Sequence, residues 1–328
     1  MKFIELFCGI GGFRLGLENT GHECVWANEW LEKPASIYRR NFKHEPDRRD
    51  IRDVPGGSLP KADLIVGGFP CATFSVAGKR TGFSLEDARG TLCFEMFRIA
   101  SEGGIPYLLF ENVKGMLNND SGKTFAVVIN SLDELGYDAQ WEVLDSQNFG
   151  VPQHRERLFL IANLRGKPRP KVFPIGRTVG ENEKKNKSTS RKYIIKQWRR
   201  GYFRDYKSEG SPTLTANMGT GGHNVPFLTE MTMLSHTTSN MKQRTQMRSS
   251  SWTMGTNPQN KMVLKDKGGI RKLTPLECER LQGLPDNFTK YYHDGSLVSD
   301  SERYERCGRT VSIPVIEEIG KRIGYDFY

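Results

Sequence analysis

Pro70-Cys71 closes an apolar run that begins at Asp63, and forty residues after that cysteine a second apolar run, Tyr107–Phe110, leads into Glu111-Asn112-Val113. A soft nucleophile and a carboxyl group, each at the carboxyl end of a strand, suit covalent attack on an electron-poor ring. Taken singly, each has a plainer reading. A lone cysteine after proline is usually a small buried residue, and a lone glutamate a solvated acid or helix cap. The run Gln153-His154-Arg155-Glu156-Arg157 would be a charged approach to a strand.

These groups need elements to hold them. Short apolar runs at Phe3–Phe7, Cys24–Asn28, Leu64–Gly67, Tyr107–Phe110, Gln140–Leu144 and Leu158–Asn163 predict strands. Amphipathic stretches such as Leu92–Ala100 and Thr124–Leu135 lie between several of them, and Ile313–Ile323 reads as a closing helix. The alternation predicts an α/β fold with a doubly wound, mainly parallel sheet, in which ligands sit at the carboxyl ends of strands. The 328 residues suffice for one large domain and a smaller one. Composition shifts near Pro168-Arg169-Pro170. From Glu181 to Gly210 there are ten Lys/Arg against four Asp/Glu, with Tyr193, Trp198, Tyr202, Phe203 and Tyr206 interleaved. Residues 229–260 are rich in Ser, Thr, Met, Gln and Asn and have little periodicity. The layout fits a catalytic and cofactor-binding domain of 1–170 plus 304–328, with a smaller domain and hinge at 171–303 inserted into it.

A net charge of +10 and a pI near 9.3 favour a polyanionic partner. The hydrophobic fraction is 37%, and no apolar run of about 18 residues suggests a membrane span. Met1–Glu5 carries charge inside its apolar run and reads as a first strand, not a secretory signal. The six cysteines are scattered and none forms a CxxC pair, so a reducing compartment and no zinc are expected.

Phe7-Cys8-Gly9-Ile10-Gly11-Gly12 follows the first strand, where glycines let backbone approach a ligand. Glu29, seventeen residues after Gly12, ends the second strand and is placed to accept ribose hydroxyls, with Trp30 beside it. Asp50-Ile51 could hold an adenine amino group and cover its face.

In this order the motifs resemble the DNA cytosine-5 methyltransferases of bacteria and phages, from Lys2 to about Ile323. The likeness runs through Phe7–Gly12, Asn28-Glu29-Trp30, Asp50-Ile51, Gly67–Cys71, Asp87–Leu92, Glu111–Val113, Gln153–Arg157 and Arg271–Pro285. It implies an S-adenosylmethionine-binding α/β domain facing a small target-recognition domain across a cleft. It implies a cytosine flipped out of a short duplex site. Cys71 would add to C6, Glu111 would hold the N3/N4 edge, and Arg157 would bond O2. Phe7, Gly9, Gly11, Gly12, Glu29, Trp30, Asp50, Ile51, Pro70, Ala72, Leu92, Arg309 and Thr310 would line the cofactor. Ser75, Lys79, Arg80 and Arg89 would lie on a mobile loop over the flipped base. With Gln153, Arg155 and Thr213 they would meet DNA, Arg89 and Arg155 at phosphates. Thr213-Leu214 resembles the anchor of the recognition loops, with readout near 199–207, 217–224 and 242–252. Double-stranded DNA as partner, a monomer, a restriction–modification setting and a bacterial or phage-encoded cytoplasmic enzyme at the nucleoid complete the expectation.

Two positions depart from the family pattern. Ala72 stands where glutamine is usual, and Gly308-Arg309-Thr310-Val311 replaces Gly-Asn-Ala/Ser-Val. Arg309 would set a permanent cation near the donor's sulfonium, which is unfavourable unless an anion intervenes. One consequence is an anionic donor, carboxy-S-adenosylmethionine, giving 5-carboxymethylcytosine. The other is an ordinary donor with Arg309 turned to a phosphate or paired with Glu305 or Glu29. An RNA cytosine-5 methyltransferase, a catalytically altered DNA-binding homologue and, more distantly, a nicotinamide oxidoreductase are the competing readings.

Overall fold

A computed structural model describes residues 1–69, 92–175, 195–199, 202–205, 213–214, 226–228 and 271–325, with backbone alone at 195–199, 202–205, 226–228, 271–272 and 325. Four parallel strands begin the main sheet: β1 (Lys2–Leu6), β2 (Glu23–Ala27), β3 (Leu64–Gly67) and β4 (Tyr107–Val113). β5 (Tyr137–Asp145) and β6 (Glu156–Leu164) complete the order β2-β1-β3-β4-β6-β5. β6 is antiparallel to both neighbours, so it alone runs against the rest. β3 is buried at all four positions, the apolar run expected of a strand covered on both faces.

Alternation along the strands builds two cores. Ile4, Leu6, Ile65, Leu108, Phe110, Leu160 and Ala162 face one side, where α3 (Leu92–Gly103) and α4 (Lys123–Glu134) cover them. Phe3, Leu64, Val66, Leu109, Phe159 and Ile161 face the other, under α1 (Gly12–Glu18), Tyr38 of α2 (Glu32–Phe42) and α7 (Ile313–Tyr325). This is the doubly wound sheet anticipated. β2 lies on one side of β1 and β3 on the other, so the strand order reverses at β1 and opens a crevice at the carboxyl ends of β1 and β3.

A second, antiparallel sheet has the order β10-β9-β7-β8, formed by β7 (Ile195–Arg199), β8 (Tyr202–Asp205), β9 (Pro226–Leu228) and β10 (Arg271–Lys272). After it come α5 (Pro275–Gln282) and α6 (Asp300–Arg309). α5 starts on a capping box in which Thr274 and Glu277 bond each other's backbone. Leu273, Cys278, Leu281, Phe288 and Val298 share a core with Ile10 and Ile37, which joins this stretch to the first sheet's helices.

α1 and α7 bring the two ends of the chain together. A β-carbon on Gly16 would lie 2.6 Å from Cβ of Ile316, an atom that no side-chain rotation can move away. Alanine favours a helix over glycine by up to about 1 kcal/mol, but overpacking costs about 1–3 kcal/mol. Gly16→Ala is therefore expected to lower unfolding stability by about 1–2 kcal/mol in urea titration; a gain would show that the two helices can part freely.

Candidate active site

The reversal of β6 decides the site. Val113, the last residue of β4, pairs with Arg157 near the start of β6, and Glu111 pairs with Phe159. Glu111 and Arg157 are thus diagonal neighbours on one sheet face. Arg157 Nε meets Glu111 Oε1 at 2.9 Å, both side chains mostly buried. A β-carbon on Gly68 would lie 3.5 Å from Glu111 Oε2 and 3.9 Å from the Phe13 ring. The backbone at Gly68 therefore runs beside the second carboxylate oxygen. Gly68 is also the first residue past β3, on the path toward position 71. Pro70, Cys71, Ala72, Ser75, Lys79, Arg80 and Arg89 lie outside the described residues.

The turn after β1 is the second part. Phe7, Gly9 and Gly11 all take left-handed backbone, with φ of 53°, 56° and 87°. At Gly9 an added β-carbon would meet nothing within 4 Å, so the turn presents open backbone. Gly12 is the opposite case: a β-carbon there would sit 2.3 Å from Thr310 Oγ1 and 2.9 Å from Val311 Cγ2. The first glycine motif and the late Thr310-Val311 motif are therefore in direct contact.

Glu29 follows β2, and its two oxygens accept Gly9 N at 3.0 Å and Leu31 N at 2.9 Å. Burial raises its pKa above the ordinary carboxylate value, against those two bonds and the charge of Arg306. Beside it the Trp30 ring is 59% exposed. An uncovered indole next to a buried, amide-anchored carboxylate fits a nucleoside, ring against ring and carboxylate toward ribose. Asp50 caps the 3-10 turn Ile51–Asp53 and takes the guanidinium of Arg52, which holds its pKa down at about 2. Ile51 is buried in the core on the α3 side, and Leu92, the first residue of α3, is half-buried against the same core.

Three expected positions take other roles. Arg155 was expected at a phosphate, but it is turned inward. It is 3% exposed and donates to the carbonyls of Leu214 at 3.0 Å, Gly308 at 3.3 Å and Thr310 at 2.8 Å. Gln153, expected at DNA, is wholly buried; it accepts Leu214 N at 2.9 Å and donates to Leu281 O at 2.8 Å. Side chains alternate along an extended segment, so residues 153, 155 and 157 all point the same way. Arg309, expected near the donor, is more than half exposed and pairs with Glu305 one helical turn back at 2.9 Å. Thr213, expected at DNA, donates its hydroxyl to His154 O at 2.7 Å.

Sequence reasoning passed over Glu5, at the foot of the glycine turn. It is fully buried, accepts Arg14 N at 3.2 Å, and its Oε2 finds no partner among the described residues. A charged residue inside the otherwise apolar β1 was the available signal. It also passed over the hydrogen bond between His154 Nδ1 and Asp145 Oδ2, on the other side of the same segment.

Comparison with known proteins agrees with this geometry. The family model described as C-5 cytosine-specific DNA methylase matches residues 1–325. The Type II methyltransferase M.Bsp6I of a Bacillus species is 34% identical, covering 98% of each chain. M.HhaI of Haemophilus parahaemolyticus is 32% identical over 99% of this chain and 94% of its own. Among solved structures, the Dnmt2 methyltransferase of S. pombe superposes with a TM-score of 0.62 at 17% identity, covering 97% and 96% of the two chains.

Burial lifts the Glu5 carboxyl to about 8 from 4.5. The folded protein therefore binds a proton there that the unfolded chain releases, so this group's stabilising effect is whole below pH 4.5 and is lost as pH rises toward 8. The loss is on the order of 4 kcal/mol. Urea titrations at pH 5, 6.5 and 8 are expected to show stability falling across the series and a flatter profile for Glu5→Gln. Equal slopes for the two proteins would mean that Glu5 is ionised in the fold.

Proposed function

The chain belongs to the C-5 cytosine-specific DNA methylases, and from that premise we propose that it methylates carbon 5 of a cytosine flipped out of a short, specific duplex site, through a transient bond from Cys71 to C6. The observation that carries this reading is the Glu111–Arg157 pair, held at 2.9 Å where β3, β4 and the reversed β6 meet. The family implies S-adenosylmethionine. The open turn at Gly9, the anchored Glu29 carboxylate and the exposed Trp30 ring support its placement beside the crevice. When bound, it supplies an electrophilic methyl group on a sulfonium sulfur.

Carbon 5 of cytosine is a weak nucleophile. In this reading the Cys71 thiolate adds to C6, and the C5=C6 electrons move to C4=C5 as N3 takes up a proton. Glu111 would hold the N3/N4 edge of the base and relay that proton from solvent to N3 as charge develops. Arg157 holds one Glu111 oxygen in place and offers its remaining guanidinium donors to O2, which selects a pyrimidine and opposes the charge building there. C5 would then be the nucleophile toward the methyl group that a bound donor supplies, the S–CH3 electron pair staying on sulfur as a thioether. A water removes the C5 proton, the C5=C6 bond reforms, the thiolate leaves, and N3 returns its proton through Glu111.

Arg309 pairs with Glu305 and faces outward, which supports the ordinary donor over carboxy-S-adenosylmethionine. The enzyme would act as a monomer in the bacterial cytoplasm at the nucleoid, as the modification partner of a restriction–modification pair. No helix among the described residues is long and apolar enough to cross a membrane.

A duplex carrying 5-fluorocytosine at the site blocks the last step, because fluorine cannot leave as a cation. Mass spectrometry is expected to find a covalent protein–DNA adduct at Cys71, and Cys71→Ser to lose it with at least about a thousandfold of turnover. A catalytically altered homologue would give no adduct, and release of tritium from C5-labelled tRNA rather than duplex DNA would point to RNA. With both donors offered together, 5-methylcytosine alone is expected in the digested DNA; 5-carboxymethylcytosine would restore the anionic donor.

A further inference from the structure

Four segments far apart in sequence meet at Gln153 and Arg155. Gln153 bonds the amide of Leu214 and the carbonyl of Leu281, and its amide also reaches Gln282 Oε1 at 3.2 Å. Gln282 in turn donates to Cys307 O at 2.7 Å. Arg155 gathers the carbonyls of Leu214, Gly308 and Thr310. All three side chains are buried: Gln153 and Gln282 at 0% exposure and Arg155 at 3%.

The chemistry of this cluster is unusual for a structural tie. A buried guanidinium normally sits against a carboxylate, since an unpaired buried charge is expensive. Here every hydrogen-bond acceptor of Arg155 among the described residues is a neutral carbonyl. Its Nε finds no partner among them. The charge is therefore tolerated only while the carbonyls stay together, and withdrawal of any one leaves a buried donor unpaired. That makes the position of Leu214 and the position of residues 308–310 depend on each other.

On the cytosine-5 methyltransferase reading both ends of the link would be functional. Thr213-Leu214 would be the anchor of the recognition loops that the family resemblance implies, and Thr213 donates to His154 O. Thr310 rests against Gly12 in the turn that would hold the cofactor, where a β-carbon would be only 2.3 Å from its hydroxyl. Arg157, two residues along the same extended segment, holds Glu111.

We propose that Arg155 is a positioning residue that couples the two binding events: DNA engaged by the recognition region sets Leu214, and through the shared guanidinium sets the Gly308–Thr310 wall of the cofactor turn. The inference rests on the cytosine-5 methyltransferase reading. A coupling of this kind is reciprocal, so cofactor must tighten DNA binding by the same factor as DNA tightens cofactor binding.

The test uses the full chain, S-adenosylhomocysteine as the cofactor probe, and a short duplex carrying the site that sequencing of modified DNA identifies. Calorimetry gives the dissociation constant of the cofactor probe with and without saturating duplex, and the ratio is the coupling. The wild type is expected to show a ratio of roughly tenfold or more, within the usual range for coupled sites. Arg155→Lys keeps the charge but cannot span three carbonyls, and its ratio should fall below about twofold while the probe still binds the free protein. If that variant does not fold, Gln153→Met removes the other hold on Leu214 and is expected to lower the ratio in the same direction. A ratio near one in the wild type, or an unchanged ratio in a folded variant, overturns the inference. Failure of the wild type to modify DNA or to bind the probe would instead remove the underlying reading.

Discussion

One reversed strand makes the site. In a fully parallel sheet the residues at the start of a strand lie at the far end from the ligand crevice, and an arginine at position 157 would be lost to chemistry. Because β6 runs against β4, its first residues arrive at the carboxyl ends of β3 and β4. Val113 opposite Arg157 sets the register, and that register puts Glu111 and the guanidinium on the same face. A slip of one residue would send Arg157 to the α3–α4 face and leave Glu111 half-buried without its cation. The charge pair and the direction of β6 are thus a single constraint.

Burial of charge follows from the same arrangement. The segment 153–157 runs beneath the junction of several chain segments, and its inward side is polar throughout: glutamine, arginine, arginine. The first two bond backbone carbonyls and an amide, with Arg155 Nε left without a partner among the described residues, and the third bonds a carboxylate. Desolvation lowers the Arg155 pKa to about 9, and the nearby charge of Arg157 pushes it further down than Glu111 pulls it up. Glu5 shows the opposite sign of the same physics, a carboxyl raised by burial under the glycine turn. An apolar cluster would hold these elements at less cost. A polar one fixes which carbonyl meets which donor, so Leu214 and the Gly308–Thr310 segment are placed relative to each other within hydrogen-bond tolerance.

Much of this was legible before the fold. Four-residue apolar runs such as Leu64–Gly67 are strands because nothing else buries both faces over so short a length, and the structure has that strand at the same residues. The glycine turn, Glu29 with Trp30, and Glu111 with Arg157 were all visible as residue types at strand ends. The direction of β6 was not, since hydrophobic periodicity is the same whichever way a strand runs. That blind spot explains the misplacement of Arg155. An arginine between two charged neighbours reads as a surface contact, and only the knowledge that 153, 155 and 157 face inward together turns it into an interior donor.

Arg309 illustrates the converse. Its type was unusual for the motif and its neighbours suggested an unshielded cation near a sulfonium. The helical spacing already held the answer, because Glu305 lies four residues earlier on α6, and an i,i+4 glutamate–arginine pair in that order forms readily on a helix surface. Such an exposed pair contributes little stability, yet it is enough to choose between two rotamers of one long side chain. The contact that reaches the glycine turn comes instead from the next residue, Thr310, against Gly12, where a β-carbon would clash. What the late motif presents to the glycine turn is therefore set by packing at Gly12, while the charge one position before it is paired with Glu305.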